Sequence, residues 1–248
     1  MIDIRGLTVR YPGAPSEALK GISLSIPRGA YVALMGGNGS GKSTLARALN
    51  GLLLPGEGEV IVDGFSTCDE QSCGEIRKRL GIVFQNPHMQ TTSLPVEREL
   101  AFGLQNTGTA TERMQGIIDA QLAASRLEAM RKRPPRSLSG GEQQRLALAA
   151  VLAMAPDYLV LDEATSLLSP ASRADLLRAV ADERRARSMT VLLITQFPDE
   201  AMGAERLVIL RGGRVVDDGA PGVVFVRCAA QAATDVQVPL LFRFGNSR

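Results

Sequence analysis

No uncharged apolar run in this chain approaches the roughly 18 residues that a membrane-crossing helix needs; the longest, Leu146–Ala155, falls well short. Any membrane role is therefore expected to come through a partner. The first residues, MIDIRGLTVRY, alternate like a strand and lack the apolar block of a signal peptide. Cysteine is scarce: Cys68, Cys73 and Cys228 form no metal-ligand spacing, and an odd number leaves one unpaired in any disulfide scheme. Reduced thiols in the cytosol are the expectation. Neither sign of charge dominates, and a net charge of +2 is too slight to argue for nucleic acid. Internal repeats, heptad runs and low-complexity segments are also missing. Histidine occurs once, at His88.

Against this plain background one string stands out. Gly36, Gly41, Lys42 and Ser43 in GGNGSGKST fit the spacing of a phosphate cradle, a glycine, four residues, then Gly-Lys-Ser. Glycines let the backbone turn its N–H groups inward around phosphate oxygens, and the helix that follows presents its positive end to the anion. Lys42 would reach the β- and γ-phosphates, and the Ser43 hydroxyl would face magnesium. The context agrees. Tyr31–Met35 reads as a buried strand, and Ser43–Leu52 as the start of a helix. The sequence therefore predicts a nucleoside triphosphate site that spans Gly36, Gly37, Asn38, Gly39, Ser40, Gly41, Lys42, Ser43 and Thr44.

With 248 residues the chain can bury a substantial core as one α/β domain with a smaller subdomain. Strands are predicted at Ile2–Arg10, Ile22–Ile26, Tyr31–Met35, Glu59–Val62 and Gly81–Phe84, then again at Tyr158–Leu161, Thr190–Ile194 and Arg206–Leu210. Pro170–Arg187 reads as a helix, and Gly212-Gly213 as a hairpin turn. The stretch 91–155 carries three helical patterns and almost no β-branched alternation, so we read it as a helical subdomain inserted into a core of residues 1–90 and 156–225. Residues 226–248 read as an irregular tail.

Two further groups carry chemistry. Tyr158–Leu161 delivers Asp162 and Glu163 at the carboxyl end of a strand, the usual place for ligand chemistry in a parallel sheet. Asp162 is suited to magnesium and Glu163 to polarising an attacking water as general base. In LSGGEQQR, Ser139 is an N-cap and Glu142, three residues on, completes a capping box. Gly140 and Gly141 leave bare N–H groups at that positive helix end, a second place for an anion. Arg131-Lys132-Arg133 with Arg136 reads as a solvated basic turn.

In order and in kind, these motifs resemble the ATP-binding subunit of an ATP-binding cassette (ABC) transporter, from Ile2 to about Phe225. The resemblance implies a P-loop NTPase core with a parallel sheet, N-terminal antiparallel strands and the inserted helical subdomain. It makes Gly36–Thr44 the Walker A loop, Tyr11 the aromatic residue that stacks on adenine, Leu138–Glu142 the signature, Asp162 the end of Walker B and Glu163 the catalytic glutamate. Gln85, in IVFQNP, matches the Q-loop glutamine that touches magnesium and the attacking water and links the site to the membrane subunit. IVFQNPHMQ followed by VERELAFG most resembles the ATPases of energy-coupling factor importers of cobalt, nickel or vitamins.

The implied mechanism uses ATP and Mg2+ and needs two partners. Two cassettes, identical or different, would close head to tail on two ATP molecules, each held between one subunit's Walker loop and the other's signature. An integral membrane subunit would be gripped near Gln85–Phe102, which places the chain peripherally on the cytoplasmic face of the membrane with no span of its own. Nucleic acid is not an expected partner. Two departures qualify this. Gln196 stands where the family has a histidine on the γ-phosphate; its amide can donate a hydrogen bond but carries no positive charge. Ser169 replaces the usual D-loop aspartate, although it should cap the next helix equally well. Slow hydrolysis at the chain's own Walker site, or turnover mainly at a different partner cassette, is the resulting expectation. A non-catalytic regulatory subunit, or a soluble ABC ATPase outside transport, is the alternative. His88, just after Gln85, is read as a surface or subunit-contact residue.

Overall fold

The computed structural model describes residues 1–92, 94–230 and 236–243. It divides into two compact units, residues 1–77 with 190–248, and residues 78–189. The first unit opens with strands β1 (Ile2–Val9), β2 (Leu19–Ile26) and β3 (Tyr31–Met35), helix α1 (Lys42–Leu49), strands β4 (Glu57–Val62) and β5 (Phe65–Ser66), and helix α2 (Glu70–Arg79), at whose end the boundary falls. The second unit holds β6 (Leu80–Phe84), α3 (Val96–Asn106), α4 (Thr111–Ser125), α5 (Gly140–Ala153), β7 (Tyr158–Asp162) and α6 (Pro170–Arg187). The chain then returns to the first unit with β8 (Thr190–Ile194), α7 (Pro198–Met202), β9 (Arg206–Arg211), β10 (Arg214–Gly219), α8 (Pro221–Ala230) and α9 (Leu240–Arg243).

In the first unit an antiparallel sheet runs in the order β2-β1-β4-β5. Register shifts between Ile4 and Leu7 let both side chains face inward although they are three residues apart, which preserves a continuous apolar face on β1. A second group of strands is built around β3, which pairs in parallel with β8 and with β9, while β9 turns back into β10 at Gly212-Gly213. β8 is buried along its whole length, and β3 nearly so; parallel strands covered on both faces read as continuous apolar runs rather than as alternation. Met35, Ile209 and Phe225 anchor the apolar cluster on one side of these strands.

The second unit has its own core. Val96, Leu100 and Leu104 on α3 face Met114, Ile118 and Leu122 on α4, each trio spaced four residues apart, and Leu146 of α5 joins them. Fully burying each such side chain contributes about 1.5–3 kcal/mol, so packing rather than intrinsic propensity holds these helices. β6 and β7 pair in parallel, from Leu80 opposite Tyr158 to Phe84 opposite Asp162. At Gly81 an added Cβ would lie 2.3 Å from Cγ1 of Val151, so α5 rests directly on the β6 backbone. This contact, with the β6–β7 pairing, ties both strands to the helical stretch 91–155 within one compact unit.

Several boundaries differ from the sequence reading. α1 stops at Leu49 rather than Leu52, because Asn50 caps it and Leu52 is exposed, with nothing apolar to hold the helix further. α2 escaped notice because it buries only Cys73 and Ile76, too few for a visible period. The tail expected to be irregular from residue 226 is helical to Ala230, since Val224, Phe225 and Cys228 bury one face of α8. Leu240–Arg243 is a further helical turn. The remainder of that tail, residues 231–235 and 244–248, lies outside the described residues.

Candidate functional site

The first unit carries the phosphate loop. β3 ends at Met35, and the chain passes through residues 36–41 into α1. A Cβ at Gly36 would sit 2.1 Å from the Leu210 carbonyl oxygen and 2.7 Å from the Ser40 hydroxyl, so no side chain fits there. Gly41 caps α1 with φ of 106°, in the left-handed region, and an added Cβ would lie 2.7 Å from the Ala18 carbonyl oxygen. α1 has no side-chain cap and no acidic residue in its first turn, a helix start of the kind that favours an anion. Lys42, only 5% exposed, folds back across the loop, where its Nζ donates to the carbonyls of Gly36 at 3.0 Å and Gly37 at 3.1 Å.

The two ends of this loop are marked by different neighbours. At the helical end, the Tyr11 hydroxyl shares a hydrogen bond of 3.2 Å with the Thr44 hydroxyl. At the other end, Gly36, Gly37 and Asn38 line a cavity of about 200 Å³ together with Gln196, an exposed residue just beyond β8. Gln237, from the C-terminal segment, lines the same cavity. The sequence reading passed over Gln237 because neither motif nor period marks it.

The second unit carries the remaining residues. Asp162, 4% exposed, closes β7, and Glu163 follows in the left-handed region at φ of 51°. An L-residue held there costs about 1–3 kcal/mol, a strain typical of functional turns. The Glu163 carbonyl accepts from the Ser166 amide at 3.0 Å, which closes the turn. Gln85 lies exposed just past β6. The strand end that displays it is pinned by two residues not singled out from sequence. Phe84 N–H donates to Oε1 of Gln90 at 3.1 Å, and the Phe84 carbonyl accepts from Nε2 of Gln144 at 3.0 Å. Gln144, 2% exposed, sits on α5, directly after the signature. His88 is exposed in the short turn Pro87–Met89, where its N–H donates to the Asn86 side chain.

α5 begins with the expected capping box. Ser139 caps the helix; its backbone N–H and its hydroxyl each donate to Oε2 of Glu142 at 2.7 Å, and Glu142 N–H donates back to the Ser139 hydroxyl at 3.4 Å. These bonds, the serine hydroxyl first, hold the Glu142 carboxyl below its usual range. Gly140 is exposed, and a Cβ there would meet nothing within 4 Å; Gly141 is half-buried, and a Cβ there would lie 3.5 Å from the Ser172 hydroxyl. Ser169 caps α6 by accepting from the Ser172 amide, as the sequence suggests. Among the described residues no group of three or more His, Cys, Asp or Glu side chains could hold a metal by itself, and Cys68, Cys73 and Cys228 are free.

The sequence profile of the ABC transporter family matches residues 19–166. An energy-coupling factor transporter ATP-binding protein EcfA from Pediococcus pentosaceus is 41% identical over 226 residues, which cover 91% of this chain and 80% of that protein. An EcfA1 from Symbiobacterium thermophilum is 45% identical over 222 residues, or 90% of this chain and 77% of that protein. Among solved structures, cbiO1 from Clostridium perfringens, described as part of the ABC transporter complex cbiONQ, superposes with a TM-score of 0.80 at 30% identity, covering 91% of this chain and 92% of its own. A dimeric ATP-binding cassette in a post-hydrolysis state with ADP and Pi superposes with a TM-score of 0.82 at 28% identity, covering 89% and 99%.

Proposed function

Because this chain belongs to the ABC transporter family, we propose that its glycine-rich loop grips ATP through Lys42 and the uncapped start of α1, and that the other motif residues act on the same nucleotide. The chain is an ATP-binding subunit of an energy-coupling-factor-type importer and an ATPase of the ABC class. The observation that carries the residue assignment is Lys42: a buried ammonium folded over a glycine loop, at the start of a helix whose first turn holds no acidic residue. A triphosphate is the anion such a cradle is built for.

Glu163 is the general base in this reading, placed directly after β7 in a left-handed turn. Tyr11 packs on the base. Gln85 orients the attacking water, and Gln196 supplies a neutral donor to the terminal phosphate. Mg2+ is assigned to Ser43, Gln85 and Asp162, whose hydroxyl, carboxamide and carboxylate oxygens are of the kind a hard cation takes. The described residues hold no dense acidic cluster, which suits Mg2+ completed by phosphate and water rather than a cage made wholly of protein. Such an ion would neutralise charge on the phosphate oxygens.

Ser139, Gly140 and Gly141 serve the ATP of a second cassette. Among the described residues nothing lies within 4 Å of a Cβ at Gly140, which supports a requirement for glycine that comes from another molecule. Contact with a membrane subunit is assigned to the segment 85–102, where Met89 is 81% and Phe102 49% exposed. No helix among the described residues is long and apolar enough to cross a membrane, so attachment runs through that contact. The decisive experiment pairs two variants of the purified chain. Lys42→Ala should lose ATP affinity, and Glu163→Gln should keep it while turnover stops; full ATP affinity in the first, or surviving turnover in the second, defeats the assignment.

A further inference from the structure

The C-terminal segment is not a loose end. Val236 and Val238 are buried against Met35, Ile209 and Phe225, and the ring of Phe242 stacks on Phe225 with centroids 6.0 Å apart. Gln237, between them, is exposed, and with Val236 it lines the cavity at the start of the phosphate loop, which Gly36, Gly37, Asn38 and Gln196 also line.

The polarity of the loop says which part of a nucleotide meets this cavity. Tyr11 is tied to Thr44; with Tyr11 on the base, as proposed above, the adenine end belongs to the helical side of the loop. The triphosphate then runs away from Thr44, and its last phosphate reaches Gly36, Gly37 and Asn38. We propose that Gln237 is a γ-phosphate ligand: together with Gln196 it forms a pair of carboxamides that distinguishes ATP from ADP, so that this chain's own C-terminal segment completes its nucleotide pocket. A single neutral donor at position 196 cannot carry positive charge, but two converging amide N–H groups offer the phosphate more than one bond without one. The inference rests on the nucleotide reading given above, and it adds a residue that no motif contains.

The test measures ATP and ADP affinities separately on the purified full-length chain, by displacement of a fluorescent nucleotide. Gln237 is exposed, so its substitution leaves the core intact. Gln237→Ala should raise the Kd for ATP about tenfold, the worth of one hydrogen bond to a charged group, and leave ADP unchanged. Gln237→Glu should weaken ATP further, since a carboxylate would face the terminal phosphate. Val238→Ala, which trims the anchor, should move ATP in the same direction by a smaller factor. If ATP and ADP weaken together in Gln237→Ala, or neither moves, Gln237 is no γ-phosphate ligand. Lys42→Ala separates the two layers: wild-type affinity for both nucleotides in that variant overturns the nucleotide site itself, whereas loss of both with an unchanged ATP-to-ADP ratio in Gln237→Ala overturns only the role of Gln237.

Discussion

Gly36 has no room for even one methyl group, because the Leu210 carbonyl and the Ser40 hydroxyl already occupy its surroundings. Gly36→Ala should therefore displace the loop from β9, weaken ATP binding by an order of magnitude or more, and cost about 1–3 kcal/mol of stability. Nucleotide titration together with thermal denaturation would check both effects. Gln196 poses the opposite kind of question, since it is exposed and sterically free to change. Gln196→His should raise steady-state turnover roughly tenfold or more if the carboxamide is a weak substitute for a cationic donor; equal rates would mean that the glutamine already suffices. Both residues were legible from sequence, the glycine by motif and the glutamine by its departure from a resemblance. Gln90 and Gln144 were not, because a carboxamide that holds a strand end looks like any other polar residue until the carbonyl it serves is known.

At the scale of elements, α5 depends on its cap. Glu142 is ionised more readily in the folded chain than in the unfolded one, so its contribution to stability is present above the ordinary carboxylate range and is lost as pH falls through its lowered folded value. The group is well exposed, and solvent screens much of the effect. Ser139→Ala should cost about 1 kcal/mol in unfolding experiments near neutral pH. It should also flatten the acid dependence that Glu142 confers, a coupling that a mere loss of packing would not produce. The strands predicted from sequence were found to within a few residues, since their apolar runs are long and bounded; β5, two residues long, and β10, which buries no residue, were not predicted. α2 and the end of α8 were not, because short helices that bury two or three residues are held by tertiary contact rather than by an amphipathic period.

At the scale of the whole molecule, the capping box that occupies the Ser139 hydroxyl leaves Gly140 open to a visitor. A second cassette bearing ATP would be such a visitor. Sedimentation of Glu163→Gln with ATP and Mg2+ should reveal a dimer that dissociates when ADP replaces ATP; a chain that stays monomeric in ATP, alone and with candidate partner cassettes, would remove the clamp from the mechanism. Loss of copurifying membrane protein on replacing Met89 and Phe102 by serine would locate the other contact.

The order of motifs along the chain was enough to determine the phosphate cradle, the paired carboxylates at a strand end and the capped signature helix, because each is built from contiguous residues whose backbone and side chains act locally. Tertiary structure alone decided that Gln237 turns toward the phosphate loop and that Gln144 braces the strand before Gln85. In the first case burial of Val236 and Val238 in the cluster around Met35 and Ile209 holds the segment against the loop, where Gln237 lines its cavity; in the second, α5 lying on β6 brings a buried carboxamide to a carbonyl sixty positions away in sequence. Such directions come from which faces are hidden from water, and no local pattern of residues carries them.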